Sequence, residues 1–231
     1  MLGPNATRGR ERNEMKAAIS PDRAAALIPD GSSLLIGGFM GVGSPHRLID
    51  ALVRRGAKDL TIIANDTAFP DKGIGKLVAA GAIRKVVASH IGLNPETQAK
   101  MIAGEIEVEL SPQGTLIERI RSGGMGLGGV LTPTGLGTLV EKGKQVIEVD
   151  GKPFLLEKPI RADFALIAAS KADYYGNLEY SLTAQNFNLI SALAGDVVIA
   201  EPQTIVPVGV IPPDAVRTPG VLVTHLLERA Y

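Results

Sequence analysis

Short apolar runs alternate with capped helical patterns along most of this chain, and that alternation limits the fold more than any other feature. Residues 34–36, 59–64, 85–89 and 106–110 are too short for helices and apolar enough for strands buried on both faces. The segments between them carry helix punctuation. Ser20-Pro21 precedes Ala24, Leu27 and Ile28, and Ser44-Pro45 precedes Leu48, Ile49, Leu52 and Val53, with Gly56 as the stop. A short helix is expected at 74–80. Asn94-Pro95-Glu96 caps another that runs through Met101-Ile102 to Gly104, and a further helix is expected at 115–121. Buried strands resume at 163–169 and 197–200, the latter ending before Glu201-Pro202.

Strands and helices joined by short links predict an α/β fold, an open, mainly parallel sheet with helices on both faces. Residues 145–149 and 153–157 flank Asp150-Gly151, a hairpin signal that predicts a small antiparallel lobe beside the main sheet. Residues 15–231 are expected to form a single domain. The polar stretch 1–14, with no apolar core of a secretory signal, is expected to be a disordered tail.

Composition narrows the function classes. Lysine plus arginine balance aspartate plus glutamate at 24 each, so no global field draws the chain to nucleic acid or to an anionic membrane. No window approaches the ~18 apolar residues of a membrane span. Without cysteine there is no disulfide, thiolate metal site or cysteine nucleophile, which suits a reducing, cytoplasmic setting. His46, His90 and His225 lack ligand spacing, so no metal site is expected. His46 is expected at the surface.

The stretch from Asp30 to Pro45 runs from a turn through a strand into Gly37, Gly38, Phe39, Met40, Gly41, Val42 and Gly43, then into a helix start. Such a loop lets backbone N–H groups approach an anion, with the positive end of the helix dipole behind them. The spacing differs from the dinucleotide fingerprint, in which Asp66 would hold a ribose. Gly124, Gly126 and Gly129 match that fingerprint, but Pro133 follows too soon for a helix. In a parallel sheet ligands bind at the carboxyl ends of the strands. Four ends should therefore share one rim: the glycine loop, Asn65-Asp66, Ser89-His90 and Ser111-Pro112-Gln113. Gln113 is a neutral donor there, and its amide either serves chemistry or ties down its own turn.

Asp30-Gly31, the three apolar residues 34–36, Gly37-Gly38-Phe39 and the closing Gly43 and Pro45 resemble the first signature of the family I coenzyme A transferases. The resemblance extends from about Ile19 nearly to the C-terminus and is nearest to the alpha subunits of acetate/acetoacetate transferases. It implies several expectations. Residues 37–43 would line the coenzyme A and acyl region, Asn65 and Asp66 would border the substrate pocket, and Gln113 would donate to the thioester oxygen. Coenzyme A would be a substrate, with no permanently bound cofactor. The family's nucleophilic glutamate sits in a Ser-Glu-Asn-Gly motif that this chain lacks. Glu105, Glu107, Glu109 and Glu201 have none of the required neighbours. The resemblance therefore implies half of an active site, completed by a beta subunit in an alpha-two beta-two assembly. A 3-oxoadipate or succinyl-CoA:3-oxoacid transferase shares the motifs, and an isomerase-like or phosphate-binding protein acting alone is the alternative of a different class.

Overall fold

The computed structural model describes residues 15–228, and the expected tail at 1–14 lies outside them. The chain opens with β1 (Ala18–Ile19), α1 (Pro21–Ala26), β2 (Ser33–Ile36), α2 (His46–Arg55), β3 (Leu60–Asp66) and α3 (Ile74–Ala79). It continues with β4 (Ile83–His90), α4 (Pro95–Ile102), β5 (Glu107–Leu110) and α5 (Gln113–Gly124). A lobe follows, made of β6 (Val130–Thr132), β7 (Val146–Val149) and β8 (Lys152–Glu157). The chain then returns through β9 (Ala162–Asp173), β10 (Leu178–Glu179), α6 (Asn188–Ala194), β11 (Gly195–Val206) and β12 (His225–Leu227).

The main sheet has the order β1-β12-β11-β9-β2-β3-β4-β5, and every pair along it is parallel. Only β10, antiparallel to β9, departs from this. Alternate residues of each strand enter different cores. Leu34, Ile36, Ile62, Ala64, Val86 and Leu166 pack on one face with α1, α2 and α3. Leu35, Ile63, Val87, Ala165 and Ile167 pack on the other with Leu116 and Ile120 of α5 and Ile190 of α6. This period-two division is why the strands read as continuous apolar runs. The expected layers are therefore present.

Caps were legible. Ser20 Oγ accepts from Arg23 N at 3.2 Å and Asn94 Oδ1 from Thr97 N at 3.2 Å, while Gly56 ends α2 at φ +71°. At the hairpin, Asp150 and Gly151 take φ +49° and +72°, as a two-residue loop matched to strand twist requires.

Several boundaries differ from expectation, β9 among them, which runs 162–173 where 163–169 was expected. The lobe has three strands, because β6 pairs with β8 out of the glycine-rich stretch. α5 begins at Gln113 itself, two residues early. The strand expected at 197–200 continues through Glu201-Pro202 to Val206, still paired with β9. Its ladder to β12 covers Ile199 and Ala200, so Pro202 lies on an edge, where a missing N–H is tolerated.

Sheet order places the functional rim. From β2 the chain builds outward through β3, β4 and β5, and from β9 it builds the other way through β11 and β12. The order reverses between β2 and β9. Ligand crevices open at such a point, beyond the carboxyl ends of the strands.

Candidate functional site

The glycine loop leaves β2 at this switch point and folds back on itself. Phe39 and Val42 exchange backbone hydrogen bonds at 3.0 and 2.8 Å. The tip holds Met40 at φ +53°, a strained setting for a non-glycine residue. Asp66, at the end of β3, holds it there, its carboxylate oxygens accepting from Met40 N at 3.0 and 3.3 Å. Burial pushes the Asp66 carboxyl above its usual range, against the N–H groups of Met40 and Ala68 and the charge of His90. Gly37 is obligatory on packing grounds, since a Cβ there would lie 1.7 Å from Asn188 Oδ1.

The start of α2 is not open to a ligand. Pro45 occupies the cap position and α2 begins at His46, one residue later than Ser44-Pro45 suggested. Ser44 Oγ donates instead to Gly37 O at 3.1 Å. The first N–H groups of α2 are taken by Glu201 of β11, whose carboxylate accepts from Arg47 N at 3.1 Å, Leu48 N at 3.0 Å and Arg47 Nε at 3.3 Å. The chain thus supplies its own anion to this helix dipole, which corrects the expectation that the dipole serves a bound ligand. His46 is also not a plain surface residue. It is half-buried and its Nε2 donates to Gly41 O at 2.8 Å, tying the loop to the helix.

Along the same rim, Gln113 stands exposed at the first turn of α5. Its Nε2 donates to Asn65 Oδ1 at 3.0 Å, and Ser89 Oγ donates to the same oxygen at 2.7 Å. Asn65 Nδ2 donates to Asn186 Oδ1 at 3.0 Å, and Asn186 O accepts from Gly38 N at 2.9 Å. An amide nitrogen carries two protons, so one N–H of Gln113 remains beyond its bond to Asn65, which fixes the plane of the amide. Asn65 and Asp66 themselves are 0% and 3% exposed. They lie beneath the rim, where they hold Gln113 and Met40.

Sequence reasoning passed over the segment 181–188, which closes the rim from above. Asn188, fully buried, donates to Gly43 O at 2.8 Å and Ala184 O at 2.7 Å, and accepts from Ala168 N at 3.0 Å. Leu182 and Phe187 hold φ +49° and +58°. The clustered amides of Asn186 and Asn188 after Gln185 were the available signal. Two cavities flank this segment. One, of about 440 Å³, is lined by Val42–Ser44, His46, Ser170, Glu201 and Gln203. The other, of about 540 Å³, is lined by Gln113, Ile117, Arg121, Leu182, Thr183, Gln185, Asn186, Phe187, Leu189 and Ile190. The glycine loop and Gln113 therefore face different cavities, joined beneath by consecutive residues of β3.

Glu201 is the one carboxylate on the walls of these two cavities, and its oxygens are already engaged. Glu109 pairs with Arg119 at 2.8 Å and Glu107 with Lys85 at 2.7 Å, on the outer strand β5. Among the described residues no three ligating side chains gather as for a metal, and no helix is long and apolar enough to cross a membrane.

A glycine loop and an oriented amide donor beside the switch point define a class first: open α/β proteins with a crevice at the strand ends. The particular family follows from comparison. The chain belongs to the coenzyme A transferases, whose family model matches residues 18–229. It is 56% identical over 204 residues to the alpha subunit of the acetate CoA-transferase of Escherichia coli K12, covering 88% of this chain and 93% of that one. The acetoacetyl-CoA:acetate/butyrate CoA transferase alpha subunit of Clostridium acetobutylicum is 51% identical over 203 residues, with the same coverage. The corresponding subunit of the 3-oxoadipate CoA-transferase of Acinetobacter baylyi is 44% identical over 218 residues, covering 92% and 94%. Among solved structures, an acyl-CoA transferase of Escherichia coli O157:H7 in a thioester complex with CoA superposes with a TM-score of 0.83 at 25% identity. That match covers 92% of this chain and 47% of the other, so this chain spans about half of it. The protein is thus one subunit of a CoA-transferase, as the signature around the glycine loop implied.

Proposed function

We propose that this chain is the alpha subunit of a transferase that moves coenzyme A between short-chain carboxylic acids. The reaction is acetyl-CoA plus acetoacetate giving acetate plus acetoacetyl-CoA. The names of the two relatives at 56% and 51% identity, against 44% for the 3-oxoadipate subunit, support acetate and acetoacetate over 3-oxoadipate or succinyl-CoA as the acid pair. The observation that carries the half-site reading is a donor without a nucleophile. Gln113 offers a free, oriented N–H on the rim, while Glu201, the carboxylate on the cavity walls, is bound to α2.

The missing nucleophile is a glutamate of a beta subunit. Its carboxylate attacks the thioester carbonyl, and the negative charge developing on that oxygen meets Gln113, a preorganised contact of about 2.7–4 kcal/mol. Collapse expels CoA thiolate and leaves an acyl–glutamyl anhydride. The thiolate then attacks the glutamyl carbonyl, releasing the first acid and leaving a glutamyl–CoA thioester. A second carboxylate reverses these steps and departs as acyl-CoA. The thioester energy is carried through, so no ATP enters. The loop 37–43 lines the CoA and acyl region, held by Asp66 at Met40 and by Asn188 at Gly43. Asn65 acts one step back, by orienting Gln113.

Mixing the separately purified subunits tests this reading. The expected result is transfer from acetyl-CoA to acetoacetate only when both are present. Full activity of this chain alone would overturn it, in favour of a protein that acts without a partner.

A further inference from the structure

The polar contacts beneath Gln113 do not balance in protons. Ser89 Oγ lies 2.7 Å from Asn65 O and 2.7 Å from Asn65 Oδ1, and a serine hydroxyl has a single proton to give. Whichever oxygen takes it, the other faces the hydroxyl's lone pairs with no hydrogen between them. Gln113 Nε2 donates to the same Asn65 Oδ1 at 3.0 Å, and Asn65 Nδ2 donates to Asn186 Oδ1 at 3.0 Å. One contact of the set is therefore unmatched, and it falls on Asn65, which is fully buried, where such a mismatch is costly.

A half-turn of an amide exchanges its oxygen and nitrogen and leaves the heavy-atom frame in place. Turning Asn65, Asn186 and Gln113 together matches every contact. Ser89 then donates to Asn65 O, and the two protons of Asn65 Nδ2 go to Ser89 Oγ and Gln113 Oε1. Asn186 Nδ2 donates to Asn65 Oδ1. Gln113 Nε2, no longer engaged by Asn65, has both N–H groups free. In the first polarity Gln113 has one free N–H beside a carbonyl oxygen that Asn65 does not hold, and such an oxygen repels an oxyanion. In the second, Asn65 occupies that oxygen.

We propose that the assembled enzyme adopts the second polarity, with Ser89 and Asn186 as positioning residues that leave both N–H groups of Gln113 to the thioester oxygen. The assignment rests on Gln113 facing the thioester, as in the function proposed above. Asn186 holds Gly38 N through its backbone oxygen, at 2.9 Å, so turning its side chain leaves that bond to the glycine loop intact.

Neutron diffraction from deuterated crystals of the two-subunit enzyme reads the polarity directly. The expected density shows both Gln113 amide deuterons clear of Asn65, and the Asn65 deuterons directed at Ser89 and Gln113. A Gln113 deuteron directed at Asn65 would overturn the proposal while leaving the transferase reading intact. Kinetics tests the positioning role. Asn186→Asp supplies only acceptors when ionised, so it locks the first polarity. It should lower kcat by about tenfold or more, with KM for acetyl-CoA unchanged within about twofold. Protonation gives the introduced carboxyl a donor again, so kcat of this variant should recover toward wild type as pH falls. Ser89→Ala leaves two bonds in either polarity and should lower kcat by about twofold, whereas Ser89→Thr, which keeps the hydroxyl, should retain the rate. Wild-type kcat in Asn186→Asp at every pH would overturn the positioning role. An unchanged rate in Gln113→Ala would instead overturn the reading beneath it.

Discussion

Replacing Gly37 by alanine tests how the glycine cradle is held. The added Cβ would sit 1.7 Å from Asn188 Oδ1 and 2.4 Å from Asn188 Cγ, distances that no side-chain adjustment of tenths of an ångström absorbs. Asn188 must leave its site. It then abandons the N–H of Ala168 and the carbonyls of Gly43 and Ala184, each satisfied at 2.7–3.0 Å in the native fold. A buried polar group left unpaired costs roughly 1–3 kcal/mol. With partial relaxation, the expected loss for the set is about 3 kcal/mol or more. For a chain of this size that lowers Tm by roughly 6–12 °C. Urea unfolding of Gly37→Ala, Asn188→Ala and the double variant supplies the assay. Because the methyl acts only through Asn188, the double variant should be no less stable than Asn188→Ala alone. Gly128→Ala, where a Cβ meets nothing within 4 Å, is the control and should change stability by about 1 kcal/mol or less. A loss below about 0.5 kcal/mol for Gly37→Ala, or additivity with Asn188→Ala, would refute the argument.

Further outcomes follow from the same geometry. Gln113→Ala in the two-subunit enzyme should lower kcat by about a hundredfold or more, and an unchanged rate would leave Gln113 a helix-start residue. Glu201→Gln should cost about 1–2 kcal/mol in urea unfolding, since the start of α2 loses its charge and Arg47 its counterion. Asp66 gives a pH dependence whose sign is set by its raised pKa. Its contribution is fully present below the ordinary carboxylate value of ~3.9 and is lost as pH rises through the folded-state value. Wild type should therefore gain stability relative to Asp66→Asn as pH falls through that window, and a flat difference would count against a desolvated carboxyl.

Much of this architecture is visible in local chemistry. The strands of both halves and the caps at Ser20 and Asn94 depend on residues within a few positions of each other. The rim could be inferred because parallel strands bring their ends to one edge, and Gln113, Asn65 and Ser89 do meet there. What stayed hidden depends on long-range contact. Asn188 meets Gly43 across 145 positions and Glu201 meets Arg47 across 154, and no local pattern announces either. Glu201-Pro202 looked like a strand end because proline usually stops a ladder, yet edge position lets β11 continue and carries Glu201 to α2. Asn65 and Asp66 were legible as polar strand-end residues, but their burial and their bonds to Gln113 and Met40 depend on partners 48 and 26 positions away.

The central claim is that this chain holds the oxyanion donor while another polypeptide holds the nucleophile. The most direct measurement traps the covalent intermediate: the two-subunit enzyme is incubated with acyl-CoA, reduced with borohydride, and both chains are mapped by peptide mass spectrometry. The account predicts a modified glutamate in the beta chain and no modification of the alpha chain. Modification of Glu201, or of any other carboxylate in this chain, would contradict it.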